Sequence, residues 1–321
     1  MVLISFMMHD HGRMDLQQLR YVVEVTETGS FTRAASRCFV TQSALSHQIA
    51  ALERELGQRL FVRSSRSVRL SEAGAAFVEH ARAALRAAEL AKEAAAAAEG
   101  VVMGALRIGV IPTVTAIDVP SVLAAFRAAH PHARVELQVG NSDALAAALR
   151  QGDLDVALLG LREGLEPAGV AWRALARTPL VAVFPRHHPL AERGVVDLED
   201  LAELSFADFP AATSGRAQSD AAFASAGVTR DVAFEADSAT LILGLVAVGL
   251  AVTLLAPGTV ARSGADVATA DVRHGPVRVE YLAWDGAAPR SVARAFLPFA
   301  AAVGSENAEA GPEMDSGPAS E

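Results

Sequence analysis

One cysteine and one lysine stand in a chain of 321 residues. The lone thiol, Cys38, excludes an intramolecular disulfide and every multi-cysteine metal site, and it fits a reducing compartment, so a cytoplasmic location is expected. The sole lysine, Lys92, sits in an alanine-rich stretch, so no phosphate-binding Gly-Lys-Ser/Thr loop can be built. Catalytic signatures are missing as well: there is no G-x-S-x-G, H-E-x-x-H or G-x-G-x-x-G, and no enzymatic activity or cofactor is expected. His187 and His188 are adjacent, so in a strand they point to opposite faces, and they lack further ligands nearby; no metal is expected. The apolar stretch from Leu241 to Pro257 is broken by Gly244, Gly249 and Thr253 and falls short of the roughly 20 residues a membrane span needs. No positively charged segment precedes the short apolar run Val2 to Met8, and no small-residue cleavage pattern follows it. It is therefore not read as a secretory leader, and Met14-Asp15-Leu16 looks like the more natural start, with residues 1–13 a disordered extension.

The length is enough for about two to three folding units on a rough prior of 100–200 residues each. Net charge is −9, which by itself disfavours nucleic acid as a partner. Its distribution reverses that inference. Residues 14–71 hold eight arginines against five carboxylates, a net of +3, which leaves −12 for the remainder. A basic head on an acidic body is expected when only the head meets phosphate.

The head reads as three helices and a hairpin. Leu16, Leu19, Tyr21, Val22, Val23 and Val25 recur at helical spacing, and Thr28-Gly29-Ser30 ends one helix and caps the next. A short second helix carries Ala34-Ala35, small enough for close packing. After the turn Phe39-Val40, Thr41 caps a third helix. Leu45, Ile49, Leu52 and Leu56 give that helix one apolar stripe. Ser43, Ser46, His47, Ala50 and Arg54 lie on the opposite face, with Gln42 at the tip. Gln and Ser read base edges in a major groove, and a helix N-terminus favours a nearby phosphate. From Gly57 to Ser71 there are four arginines and no acid, in two short strands around Ser64-Ser65-Arg66, a wing able to neutralise phosphates.

Several ordered stretches together resemble the signature of LysR-type transcriptional regulators. They are Gly29-Ser30-Phe31-Thr32-Arg33-Ala34-Ala35, Val40 through Ile49, Leu52-Glu53-Arg54-Glu55-Leu56-Gly57, Leu60-Phe61-Val62-Arg63 and Leu70-Ser71-Glu72-Ala73-Gly74. The resemblance implies a winged helix-turn-helix over 14–71 in which Thr41, Gln42, Ser43, Ser46 and His47 meet DNA and Arg63 and Arg66 lie on the wing. His47 stands where many members carry arginine. Residues 72–100 read as a linker helix, roughly 40 Å long at about 1.5 Å per residue. Its stripe of Phe77, Ala81, Ala84, Ala88, Ala91 and Ala95, with Leu85 and Leu90 beside it, is too narrow to hold a lone helix in water and implies a partner helix. In the resembled family such helices pair between subunits, giving a dimer or tetramer on a promoter inverted repeat, with RNA polymerase as a further partner.

Beyond Gly100, alternating strands and helices point to a mostly parallel sheet covered by helices. By resemblance, 101–303 is a two-lobed α/β effector-binding domain similar to periplasmic solute-binding proteins. Lobe I is expected over about 101–175 and 276–303, and lobe II over about 176–275. Ligands of such sheets bind beyond the carboxyl ends of strands, where helix N-termini converge. Thr113, Thr115, Asn141, Ser142, Thr213 and Ser214 occupy those ends and form the expected effector site, suited to a carboxylate or another polar small molecule. Arg216 is a candidate anion holder, countered by Asp208 and Asp237 nearby in sequence. Residues 304–321 hold acids and no base among Gly, Pro, Ser and Ala, and read as a disordered tail. The body alone would also suit a transport-type solute-binding protein. The missing export signal and the added head weigh against that reading.

Overall fold

The structure, a computed structural model, describes residues 14–63 and 68–308 and divides into two compact units, one through Ala95 and one from Ala96. The predicted extension at 1–13 and the end of the predicted acidic tail lie outside the described residues.

In the first unit, helix α1 spans Leu16–Thr28. Its Asp15 cap accepts the Gln18 N–H while the Gln18 side chain accepts the Asp15 N–H, and Gly29 closes the helix at φ 60°. The reciprocal pair satisfies two donors that a helix start leaves orphaned. Helix α2 (Phe31–Arg37) begins at Ser30, and α3 (Gln42–Leu56) begins at Thr41 and ends on Gly57 at φ 64°. Leu45, Ile49 and Leu52 of α3 are fully buried with Val22 and Val25 of α1 and Ala34 of α2. Leu56, expected in the same stripe, is 36% exposed where the helix runs out.

Strands β1 (Phe61–Arg63) and β2 (Val68–Leu70) pair antiparallel, and Phe61 meets Phe31 edge-on at 5.6 Å. Glu53 of α3 fastens this hairpin, its Oε1 accepting the N–H groups of Leu60 at 2.7 Å and Phe61 at 3.2 Å. Helix α4 then runs Glu72–Ala98. A side chain on Gly74 would place its Cβ 2.0 Å from the Leu60 carbonyl oxygen, so only glycine lets α4 start this close to the hairpin.

In the second unit the elements continue in order as β3 (Gly104–Val110), α5 (Val119–Ala129), β4 (Ala133–Val139), α6 (Ser142–Arg150), β5 (Val156–Arg162), β6 (Ala171–Pro179), β7 (Val181–Pro185) and β8 (Val195–Val196). They are followed by β9 (Ser205–Asp208), α7 (Ser214–Ser225), β10 (Asp231–Glu235), α8 (Ala239–Ala247), β11 (Thr253–Leu255), α9 (Pro257–Ser263), β12 (Val267–Val272), β13 (Val277–Trp284) and α10 (Ser291–Ala308). The predicted last helix was to stop at Val303; it continues to Ala308, which shortens the expected tail.

Lobe I is one sheet in the order β4-β3-β5-β13-β6, parallel among β4, β3 and β5 and antiparallel at β13 and β6. Helices cover both faces. In β5, Val156 and Leu158 join the core containing Phe126 and Phe296, while Ala157 and Leu159 join Leu145 and Leu149 on the other side. A strand buried on both faces carries an unbroken apolar run.

Lobe II repeats the scheme. Its four strands run β11-β7-β12-β8, and the parallel pair β9-β10 attaches to them through a bridge between Phe206 and Val252. Ala182 and Phe184 of β7 face one core, Val181 and Val183 the other. The chain crosses between lobes twice, around Leu180 and around Pro276, and the Leu180 N–H donates to the Pro276 carbonyl at 2.9 Å. The expected boundary near residue 175 therefore shifts: β6 stays in lobe I up to Pro179, held there by its full-length pairing with β13.

Candidate functional site

Two places bring together the residues singled out from the sequence. The first is the N-terminal tip of α3. The Thr41 side chain accepts the Ala44 N–H at 3.2 Å and lies 3.1 Å from the Ser43 hydroxyl. Gln42 Nε2 donates to Ser46 Oγ at 2.8 Å, one turn on. Thr41, Gln42, Ser43 and His47 are exposed and Ser46 is half-buried. The opposite face is locked by the buried Leu45 and Ile49, and Gln18 Nε2 of α1 donates to Gln48 Oε1 at 3.2 Å. The result is a rigid helix showing a short polar edge whose carboxamide and hydroxyl groups bond mainly to one another, the chemistry that reads bases in a major groove. Arg63 ends β1 opposite Val68, and Arg66 lies outside the described residues. The exposed loop residue Phe39 was read only as part of a turn. It is 96% exposed and adopts a left-handed backbone at φ 56° just before the cap.

The second place is a cavity of about 350 Å³ within the second unit, whose walls come from both lobes. Thr113, Asn141, Ser142 and Thr213 line it, with Gln218 and Arg278. Thr115 and Ser214, assigned to this site from the sequence, do not line it. Thr115 is turned to Glu280, giving its N–H at 2.8 Å and its hydroxyl at 2.6 Å to the carboxylate. Ser214 is held by Asp143, which accepts the Ser214 N–H at 2.9 Å and hydroxyl at 2.8 Å. That contact links the first turns of α6 and α7 across the cavity rim. A second link is made by α9: the Thr259 hydroxyl donates to the Thr113 carbonyl at 3.4 Å, and Arg262 donates to the Val114 carbonyl.

Arg278 and Glu280 escaped sequence reasoning because a strand with charges at alternate positions reads as having a wet face. Both are buried, and they pair at 2.6 Å. Glu280 also takes the Ala116 N–H at 2.9 Å, so its carboxylate is fully engaged. Opposite charges two residues apart on one strand, Val277-Arg278-Val279-Glu280, were the available signal.

Arg216, the candidate anion holder, is consumed internally. It donates to Asp220 at 2.9 Å, Glu235 at 3.1 Å and the Phe209 carbonyl at 3.2 Å. Beside it, Arg230 pairs with the buried Asp208 at 2.7 Å. Burial pushes the Asp208 carboxyl above its ordinary range against the pull of Arg230. His188 stacks on Phe184 at 4.8 Å. Among the described residues no cluster of His, Cys, Asp or Glu is arranged to hold a metal ion, and no helix is long and apolar enough to cross a membrane.

Residues 16–75 match the bacterial regulatory helix-turn-helix protein, lysR family, and residues 99–305 match the LysR substrate binding domain. The chain belongs to the LysR family of transcriptional regulators. It is 36% identical over 250 residues to the HTH-type transcriptional regulator ShiR of Corynebacterium glutamicum (strain R), covering 77% of this chain and 84% of that protein. It is 34% identical to the transcriptional dual regulator GltC of Bacillus subtilis (strain 168), covering 78% and 83%. Among solved structures, full-length CbnR complexed with its target DNA superposes with a TM-score of 0.68 at 26% identity, covering 90% of this chain and all of that one. As a LysR-type regulator, the protein binds promoter DNA through its N-terminal helix-turn-helix under control of a small-molecule effector. The transport-type alternative leaves the match over 16–75 without a purpose.

Proposed function

We propose that Thr41, Gln42, Ser43, Ser46 and His47 read bases in a major groove, that Arg63 and Arg66 neutralise phosphates beside it, and that the cavity lined by Thr113, Asn141, Ser142 and Thr213 takes the effector. The observation that carries the first part is the tip of α3: one face fixed in the core, the other polar and uncommitted to the fold. The complex of the relative CbnR with its target DNA supports it. For the second part, the cavity lies at the strand ends and helix starts where α/β sheets take ligands.

The protein acts as a dimer or tetramer without enzymatic activity, in the cytoplasm, on a promoter inverted repeat and in contact with RNA polymerase. Phe77 and Ala81 are covered by the head, but Ala84, Ala91 and Ala95 of α4 are exposed and Leu90 is 41% exposed, so the later part of the stripe lacks cover among the described residues and suits a second copy. Effector binding shifts the arrangement of the paired heads in proportion to its different affinity for the two arrangements.

Retardation of a promoter fragment at moderate salt tests the head; it should be lost in Ser46→Glu and in Arg66→Glu. Footprints with and without effector test the control. Identical protection and bending under saturating ligand would remove it.

A further inference from the structure

The polar groups around the effector cavity are unequally available. The Ser142 hydroxyl donates to the Gly160 carbonyl at 2.9 Å and accepts the Gly160 N–H at 3.0 Å. The Thr213 hydroxyl donates to the Pro210 carbonyl at 2.8 Å and accepts the Arg216 N–H at 3.4 Å. Each has given its own proton away and can offer a ligand only one remaining acceptor lone pair. Thr113 Oγ1 accepts from Arg278 Nη1 at 2.7 Å and keeps its own proton to donate. Asn141 Oδ1 accepts the Ala144 N–H at 2.9 Å, which leaves its amide nitrogen without a partner among the described residues. Gln218 is 6% exposed, borders both this cavity and a second one beside Arg162 and Val277, and its Oε1 has no hydrogen-bond partner among the described residues. A buried carboxamide oxygen left unpaired costs free energy until a donor reaches it.

Charge points the same way. Among the described residues Arg278 is the only cation lining the cavity, and Glu280 neutralises it at 2.6 Å. Asp237 also lines the cavity, and no ion pair involves it among the described residues. The positive end of α7 is already covered by Asp143 through Ser214. Glu280 is thus paired with Arg278, Asp143 is engaged at the start of α7, and Arg216 beside the site is taken up by Asp220 and Glu235, so Asp237 is the charge at the lining without an ion pair among the described residues. The uncovered start of α6 adds about half a unit of positive charge, less than the unit charge of an ionised Asp237. An anion entering here would lose its hydration without gaining a free cation. Most of the remaining wall is apolar, including Ile111, Phe209, Leu254 and Leu255.

We propose that the effector is an uncharged, largely apolar molecule that brings one donor to Gln218 Oε1 and one acceptor to Thr113 or Asn141, with amides the best-matched class, and that it is not a carboxylate. This rests on the reading of the cavity as the effector site.

The test uses the full-length protein and pairs of equal shape: benzamide and benzoate, nicotinamide and nicotinate, hexanamide and hexanoate, each titrated by calorimetry. The amide of a pair should bind at least about tenfold more tightly than its carboxylate. Gln218→Leu should erase that ratio by weakening the amide. Asp237→Asn should narrow it by strengthening the carboxylate, and it keeps the test open if Gln218→Leu does not fold. Carboxylates binding as well as or better than their amides would overturn the inference and leave the cavity as the effector site. Binding of no member of any pair would overturn both.

Discussion

Phe39 combines two costs: an aromatic ring almost wholly in water and a left-handed backbone that side chains other than glycine and asparagine adopt reluctantly. Phe39→Asn should therefore stabilise the head by about 1 kcal/mol, read as a higher Tm in thermal unfolding. The opposite case is Asp208, buried against Arg230, whose guanidinium also lies 5.0 Å from the Phe206 ring. Asp208→Ala removes the buried one of the two carboxylate partners of Arg230 and leaves Asp220 at 2.7 Å, and should cost about 1.5–3 kcal/mol in denaturant unfolding. Asp200 provides a pH-dependent signal. It accepts the Asp197 N–H and pairs with Arg193, each at 2.9 Å, and these hold its carboxyl below the ordinary 3.8. A depressed native pKa means the contribution is present above that value and is lost as pH falls through the native one. Asp200→Asn should flatten that part of the acid limb of a stability-against-pH curve.

At the scale of elements, sequence legibility followed the source of each element's order. Helices α1 to α3 carry their own caps, Asp15, Ser30 and Thr41, and their own apolar spacing, so their limits could be read directly. Strands β5 and β7 announced themselves as apolar runs because both of their faces are buried. Strand β6 did not: Ala171–Pro179 has two arginines and no β-branched residue except Thr178, and only its register with β13 makes it a strand. The site was legible in the same uneven way. Caps such as Asn141 and Thr213 marked the cavity rim, but capping takes up part of their hydrogen-bonding capacity, and Gln218, Arg278 and Glu280 gave no local sign of being buried together. Gly74 could be quoted as part of a signature without its reason, the 2.0 Å approach to the Leu60 carbonyl. Gly74→Ala should separate α4 from the hairpin and lower the Tm of the head, with faster amide exchange at Leu60 and Phe61.

For the whole molecule, the two halves were unequal in how much they disclosed. The basic head reads a chemically uniform partner, duplex DNA, so its residue pattern is dense and ordered over some sixty positions. The body answers to a small-molecule effector, and the groups that line its cavity are drawn from distant parts of the chain, with Thr113 and Arg278 separated by 165 positions. The rims of the cavity are joined by Asp143 to Ser214 and by α9 to the loop at 113–114, so lobe closure has identifiable fasteners. Asp143→Ala should speed amide exchange at Ser214 and loosen the closed arrangement, visible as a larger radius of gyration of the protein without effector.

The account depends most on the polar tip of α3 meeting duplex DNA. Its most direct test is selection of genomic fragments by the purified full-length protein, followed by competition against random duplex at fixed salt. The prediction is a recurrent inverted repeat bound at least about a thousandfold more tightly than random sequence, with the preference abolished by Ser46→Glu. Equal affinity for both, or a preference untouched by Ser46→Glu, would contradict it.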